Sequence, residues 1–158
     1  MSITVRAAAP GDGAILHAMV RELATHHGSE KNFTSVPEDF DRLLADTRGI
    51  SGALIAEADG VPAGCAVWHR GFSTFRGRET LYLEDLSVLP QFRKKGVGQA
   101  LLKATARVAI RRNAAYLHWM MMGWNEDARR FYEAAGAEVE GDNCFCSLKG
   151  DALERLAT

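Results

Sequence analysis

The chain has 158 residues, 47% hydrophobic and 25% charged, which is enough apolar material for one sizeable core and excludes a disordered polymer. Nineteen Lys and Arg against twenty Asp and Glu leave a formal net charge of -1, which argues against a general nucleic-acid binder, because neutralising phosphates needs a basic surplus. No run is long and apolar enough to span a bilayer, and Met1 to Ala9, with Arg6 inside an apolar alternation, lacks the layout of a signal peptide.

Ile3 to Ala7 alternates like a short strand. Pro10-Gly11-Asp12 breaks it, and Asp12 can cap a helix. Ile15, Leu16, Met19, Val20 and Leu23 recur at helical spacing, so Gly13 to His27 reads as an amphipathic helix ended by Gly28. Pro37 suits the first turn of a second helix carrying Phe40, Leu43 and Leu44. Ala53 to Ala58 and Val61 to His69 form two strands around an Asp59-Gly60 hairpin turn. Phe72 to Arg78 reads as a loop, and Leu81 to Val88 as a strand stopped by Pro90. Gly98 to Arg112 is a helix, Tyr116 to Met122 a buried strand, and Asn125 to Ala135 a helix ending at Gly136. Phe145 to Leu148 is a last strand and Asp151 to Leu156 a short terminal helix. Antiparallel hairpins followed by a strand–helix–strand–helix unit with parallel character make the fold class mixed α/β (α+β), in a single domain spanning 1–158.

The most informative segment is the strand end and loop from Leu83 to Gln99. Helix starts leave backbone N–H groups unpaired, and the macrodipole adds partial positive charge there. Gly96 and Gly98 allow close backbone approach, while Arg93, Lys94 and Lys95 add full charges, so the segment suits a phosphate or pyrophosphate. The dinucleotide fingerprint needs a third glycine where Leu101 stands, and Gly98-Gln99-Ala100 is not the Gly-Lys-Ser/Thr ending of an ATP-type loop. On the Gly-x-Gly alone, a charged loop before a helix is the plainer reading.

The flanks add more. Arg93-Lys94-Lys95-Gly96-Val97-Gly98 resembles the Arg-x-x-Gly-x-Gly signature of the GCN5-related N-acetyltransferase (GNAT) superfamily. The stretch from Trp124-Asn125 through Phe131-Tyr132 to Gly136 is similar to that superfamily's second signature. More narrowly, Ser73 to Arg78, Leu81-Tyr82-Leu83-Glu84-Asp85-Leu86 and the ending from Gly150 to Ala157 resemble the diamine (spermidine/spermine) acetyltransferase branch and its thialysine-acetylating relatives.

The resemblance implies the acyl-CoA acyltransferase fold: a mixed central sheet with a splayed parallel strand pair, flanked by helices. Here the pair would be Leu81–Val88 and Tyr116–Met122, with acetyl-CoA (coenzyme A) between them and no metal. Its pantetheine arm would pair like an added strand with backbone at Leu86, Ser87 and Val88. Its pyrophosphate would sit on Arg93, Lys94, Lys95, Gly96, Val97, Gly98 and Gln99. Asn125, Ala128 and Tyr132 complete the implied cofactor contacts, although Asn125 also reads as a plain helix cap.

Tyr132 matches the family tyrosine near the cofactor sulfur and is the implied general acid; from Phe131-Tyr132 alone, an ordinary packed aromatic is the plainer reading. Glu84 matches the acidic residue near the substrate amine. An alkyl ammonium with a reference pKa near 10.4 must lose a proton before it attacks, and a carboxylate can attract it and accept that proton, directly or through water. Glu84 also reads as a charge inside an apolar strand, costly unless paired or functional. Asp85, placed on the opposite face by alternation, would instead make a structural salt bridge or line the substrate. Attack is direct, with no covalent acyl-enzyme; Cys65 reads as core.

The diamine branch has Tyr-Glu after the first helix, and here His26-His27 stands there, a poorer cation trap for substrate. Glu22, Glu30, Asp39, Glu140 and Asp142 could supply negative charge instead. Phe75 either contacts a substrate chain or anchors its loop over the core. His26-His27 and Cys144-x-Cys146 lack the paired spacing of a zinc site, and an odd cysteine count points to a reduced, cytoplasmic protein. The expectation is therefore an N-acetyltransferase for a small-molecule primary amine (a diamine, polyamine or lysine analogue), with no nucleic acid or membrane partner and a homodimer paired through the C-terminal strands. Alternatives are a protein N-terminus, lysine or antibiotic amine as acceptor, or a non-catalytic acyl-CoA-binding module.

Overall fold

The architecture follows from which runs can bury a face. In the computed structural model, which describes residues 1–141, β1 (Ile3–Ala7), β2 (Ser51–Ala58), β3 (Val61–Ser73), β4 (Arg78–Val88) and β5 (Leu117–His118) form one sheet in the order β1-β2-β3-β4-β5. The first four strands pair antiparallel, and β5 pairs with β4 in parallel. Helices α1 (Gly13–His26), α2 (Pro37–Leu44), α3 (Val97–Arg111) and α4 (Glu126–Ala134) complete the described elements. The chain divides into one unit of Met1–Met120 and a second beginning at Met121.

In the first unit α1 and α2 cover one sheet face, where Leu16, Met19 and Phe40 pack with Ala53, Ile55, Cys65 and Val67. Helix α3 contacts β1 to β4 and buries Val97, Leu101, Leu102, Thr105, Val108 and Ala109. Thr105 keeps its hydroxyl satisfied by donating to the Leu101 carbonyl one turn back, 2.9 Å away. Burying a leucine or isoleucine side chain stabilises by about 2 kcal/mol, so Leu16, Ile55, Leu81, Leu83 and Leu101, all essentially inaccessible, anchor both layers.

Several sequence expectations need correction. Asp12 precedes α1 but does not cap it. Its carboxylate accepts from Arg6, 2.7 Å away, and from the Ala9 N–H at 2.8 Å, so it ties β1 to the helix start. The Arg6 guanidinium holds the Asp12 carboxyl below its ordinary value. The loop expected over Phe72 to Arg78 is shorter than expected and spans only residues 74–77: β3 reaches Ser73 and β4 starts at Arg78, because cross-strand pairing carries the hairpin past the apolar alternation. The strand expected over Tyr116 to Met122 shrinks to Leu117–His118, and Met120 and Met122 are exposed. An apolar run specifies burial, but only a backbone partner makes a strand, and β4 offers one over two residues. Asp142, Cys144, Cys146, the expected strand Phe145–Leu148 and the terminal helix lie outside the described residues. Among the described residues no helix is long and apolar enough to cross a membrane.

Candidate active site

A register shift in the middle of β4 builds the site. Asp85 stands opposite Val67 and Leu83 opposite Trp68, which leaves Glu84 as an extra residue, a β-bulge. Tyr82 pairs with His69 and Ser87 with Cys65, and cross-strand partners share a face. Cys65 and Val67 belong to the core under α1. Residues 82 and 84 on one side of the bulge therefore share that face with 85 and 87 on the other. The opposite-face expectation for Asp85 fails because the extra residue cancels the alternation.

The two carboxylates differ in setting. The Glu84 side chain is 56% exposed and lies 3.4 Å from the His69 imidazole, Oε2 to Nε2. Asp85 is the less exposed of the two: partial burial, helped by the Glu84 charge, pushes its carboxyl up to about 6. The expected salt bridge at Asp85 is not formed with any Lys, Arg or His among the described residues. The costly, partly buried charge in this strand is thus Asp85 rather than Glu84.

Beyond the bulge, β4 has an open edge among the described residues. The Leu81 N–H donates to the Tyr116 carbonyl toward β5. Pairing with β5 stops at Tyr82 opposite His118. At the far end the Leu89 N–H donates to Ala63 beside β3. Backbone groups alternate sides along a strand, so Ser87 also points toward β3, while Leu86 and Val88 point their N–H and C=O away from it. Ser87 further donates its hydroxyl to the Met19 carbonyl, 2.8 Å away. Leu86 thus offers its N–H and C=O and Val88 its N–H to an added strand, while the Val88 carbonyl already accepts from Arg93 and Ser87 faces β3.

The loop after β4 runs through a short turn at Pro90–Phe92 and enters α3 at Val97. Gly96 takes the left-handed conformation before the helix, φ 87°, and so does Lys94, φ 59°, which no glycine signal predicted. Gly98 lies inside the helix. The first helical hydrogen bond runs from the Ala100 N–H to the Gly96 carbonyl, which leaves the N–H groups of Val97, Gly98 and Gln99 ahead of the ladder. No acidic residue occupies the first turn, and Lys94, Lys95 and Gln99 are exposed. Arg93 turns the other way: its Nε donates to the Val88 carbonyl at 3.0 Å, and its Nη2 lies 3.5 Å from Glu22 of α1. That contact ties one end of the open edge to the loop.

In the second unit Asn125 caps α4, its Oδ1 accepting from the Ala128 N–H at 3.0 Å, so the plain capping reading holds. Tyr132 is buried, its ring 5.1 Å from Phe131 edge to face, and burial pushes its phenol up to about 12. Gly136, φ 88°, ends the helix.

The remaining expected residues separate. His26 ends α1 and His27 follows it, ring centroids 5.7 Å apart; burial first, and then the neighbouring charge of His26, lowers His27. Phe75 sits fully exposed at the β3–β4 turn, so it does not anchor a loop over the core. The strand from Arg78 to Glu84 separates that tip from the bulge by about 20 Å. Cys65 is buried, and burial raises its thiol far out of the reactive range.

The sequence reading missed the neighbours of Glu84. His69, Tyr82 and His118 stand side by side on β3, β4 and β5, with ring centroids 5.0 Å apart at each step. Nothing in the separate segments signals this row, because it exists only through strand register.

Comparison with known proteins gives the family and the fold. The profile of the Acetyltransferase (GNAT) family matches residues 16–137. The chain is 34% identical to thialysine N-epsilon-acetyltransferase of Bos taurus, covering 98% of this chain and 97% of that one. An L-ornithine N5-acetyltransferase of Arabidopsis thaliana is 34% identical over 62% of this chain and 43% of its own. Among solved structures, an integron cassette protein from the mobile metagenome of V. cholerae superposes with a TM-score of 0.79 at 24% identity, covering 99% of this chain and 98% of that one.

Proposed function

The chain belongs to the GNAT acetyltransferase family and is an acetyltransferase, and we propose that its acceptor is a primary amine of a small molecule, a diamine, polyamine or lysine analogue, that attacks the acetyl thioester directly. The observation that carries this reading is the bulge in β4. It sets a carboxylate pair, Glu84 and Asp85, immediately before an open edge at Leu86 and Val88. Relatives named for thialysine and ornithine, both small amines, support the acceptor class.

The described residues fit coenzyme A on chemical grounds. Outward amides at Leu86 and Val88 match the amide-bearing pantetheine arm by strand addition. Unladdered N–H groups of Val97, Gly98 and Gln99, with Lys94, Lys95 and Gly96 beside them, match a pyrophosphate. Asn125 and Ala128 remain proposed contacts of the arm by resemblance. Acetyl-CoA supplies an activated acetyl group and a thiolate leaving group.

Glu84 draws the ammonium and accepts its proton, and its exposed side chain is open to solvent. Asp85, beside it and half neutral near pH 6, is the acceptor-side partner that holds the amine through a hydrogen bond. The Leu86 N–H polarises the acetyl carbonyl. Tyr132, protonated throughout the neutral range, is by resemblance the donor that would meet the developing charge on sulfur. Full transfer from a phenol near 12 to a thiolate of ordinary acidity, about 8.5, is uphill, so the hydroxyl would stabilise the departing thiolate as a hydrogen-bond donor and keep its proton. We further infer a homodimer in a reducing compartment, which sedimentation and the thiol chemistry below test. An amine panel assayed by thiol release tests the acceptor: turnover confined to peptide N-termini or aminoglycosides, with none on diamines or lysine analogues, overturns the reading.

A further inference from the structure

His69 stands where its chemistry has no assigned purpose. It lies in β3 beside Tyr82, stacked on that ring with centroids 5.0 Å apart, and is 45% exposed. Its Nδ1 lies 3.3 Å from the Arg70 carbonyl. A carbonyl only accepts, so Nδ1 carries the hydrogen, and in the neutral ring Nε2 keeps its lone pair. That Nε2 faces Glu84 Oε2 at 3.4 Å.

We propose that His69 acts through Glu84 as the outlet for the proton that Glu84 takes from the substrate ammonium, an inference that rests on Glu84 acting as the base. The ammonium N–H bond breaks and its proton goes to the Glu84 carboxylate. The proton then passes from Oε2 to the lone pair on His69 Nε2, leaving an imidazolium that donates to both the Arg70 carbonyl and Glu84. The exposed edge of the ring releases the proton to water and restores the starting tautomer. Glu84 is thereby an ionised base again for the next amine.

The surroundings select His69 for this. From β4, Tyr82 faces it with a phenol raised by burial first and then by the Glu84 charge, so Tyr82 stays protonated. Asp85 lies on the buried side of the bulge. From β5, His118 meets the edge of Tyr82, and burial first, then the His69 charge, lowers it. Tyr116 packs on His118. Arg70, next in β3, is taken up by Glu79, 3.1 Å away. Imidazole is the side chain whose protons exchange readily near neutral pH, and His69 is the imidazole in contact with Glu84.

The test uses the full-length enzyme with a diamine acceptor and four variants: His69→Ala, His69→Gln, Glu84→Gln and the double variant His69→Ala with Glu84→Gln. His69→Ala is expected to lower kcat about tenfold, the low end for a positioned proton-transfer group, with KM for acetyl-CoA unchanged and added imidazole restoring rate. His69→Gln can donate to Glu84 but cannot relay a proton, and is expected to keep KM for the amine while losing kcat, without imidazole rescue. In the Glu84→Gln background, His69→Ala is expected to cost nothing further. Wild-type kcat in His69→Ala between about pH 6 and 9, absence of imidazole rescue, or losses that multiply in the double variant overturns the proposal. Unimpaired Glu84→Gln overturns the base assignment itself and the proposal with it, whereas an impaired Glu84→Gln beside an unimpaired His69→Ala removes only the role of His69.

Discussion

Glu84 and Asp85 are consecutive in β4, yet the bulge turns both carboxyls to the face under α1, one half in solvent and one less exposed. Regular alternation separates adjacent side chains by a sheet's thickness. The extra residue abolishes that separation and couples the two charges, which is why the Glu84 charge contributes to the rise of Asp85.

The Asp85 carboxyl sits near 6, against an ordinary 3.8 in the unfolded chain. A raised carboxyl favours the folded state where it is protonated, so its contribution is fully present below about pH 4 and is lost as pH rises through 6. A gap of about two pH units corresponds to about 3 kcal/mol, an upper figure. Asp85→Asn is therefore expected to be more stable than wild type at pH 8, with the difference vanishing near pH 4. Denaturant unfolding at both values checks it, and an Asn variant less stable at pH 8 contradicts it.

Gly96 takes φ 87° immediately before α3, with only an ordinary contact from Ile3 where a Cβ would lie. Space is available, so Gly96→Ala carries mainly backbone strain, about 1 to 2 kcal/mol. Rearrangement of the turn shifts the N–H groups of Val97 and Gly98, and coenzyme A affinity is expected to fall by about tenfold or more, or about 1.4 kcal/mol. Calorimetric titration with coenzyme A measures it.

Tyr132→Phe removes one hydroxyl and keeps the packed ring against Phe131. The expected result is a fall in kcat of about a hundredfold with little change in KM for acetyl-CoA, the pattern of an interaction made only in the transition state. Equal losses in acetyl-CoA affinity assign the hydroxyl to binding instead.

Cys65 is wholly buried in β3 and its thiol is far from ionising at neutral pH. In a variant carrying Cys144→Ser and Cys146→Ser, the native protein is expected to release no colour with a thiol reagent and the denatured protein one equivalent. Retained turnover in that variant supports direct attack, since no accessible cysteine remains to carry an acyl group.

Arg93 links the Val88 carbonyl to Glu22 across the entrance of the loop. Arg93→Ala is expected to cost about 1 to 2 kcal/mol, because the Val88 carbonyl loses its partner. Glu22→Gln, which touches only the half-exposed end of the pair, is expected to change stability by less than about 1 kcal/mol. Thermal unfolding of both variants separates the two contributions.

Local chemistry was legible in the sequence wherever the cause lies within one segment. Pro37 opening α2, Gly136 closing α4, Asn125 capping it, and the basic Gly-bearing entry to α3 each follow from backbone geometry or dipoles that a few adjacent residues fix. What only the tertiary structure decided depends on register between strands. The bulge that puts Asp85 beside Glu84, the open edge at Leu86 and Val88, the short β5, and the row of His69, Tyr82 and His118 are all properties of pairing between segments distant in the chain. A one-residue change in register reverses every side chain beyond it, and no single segment encodes which register its partner will choose.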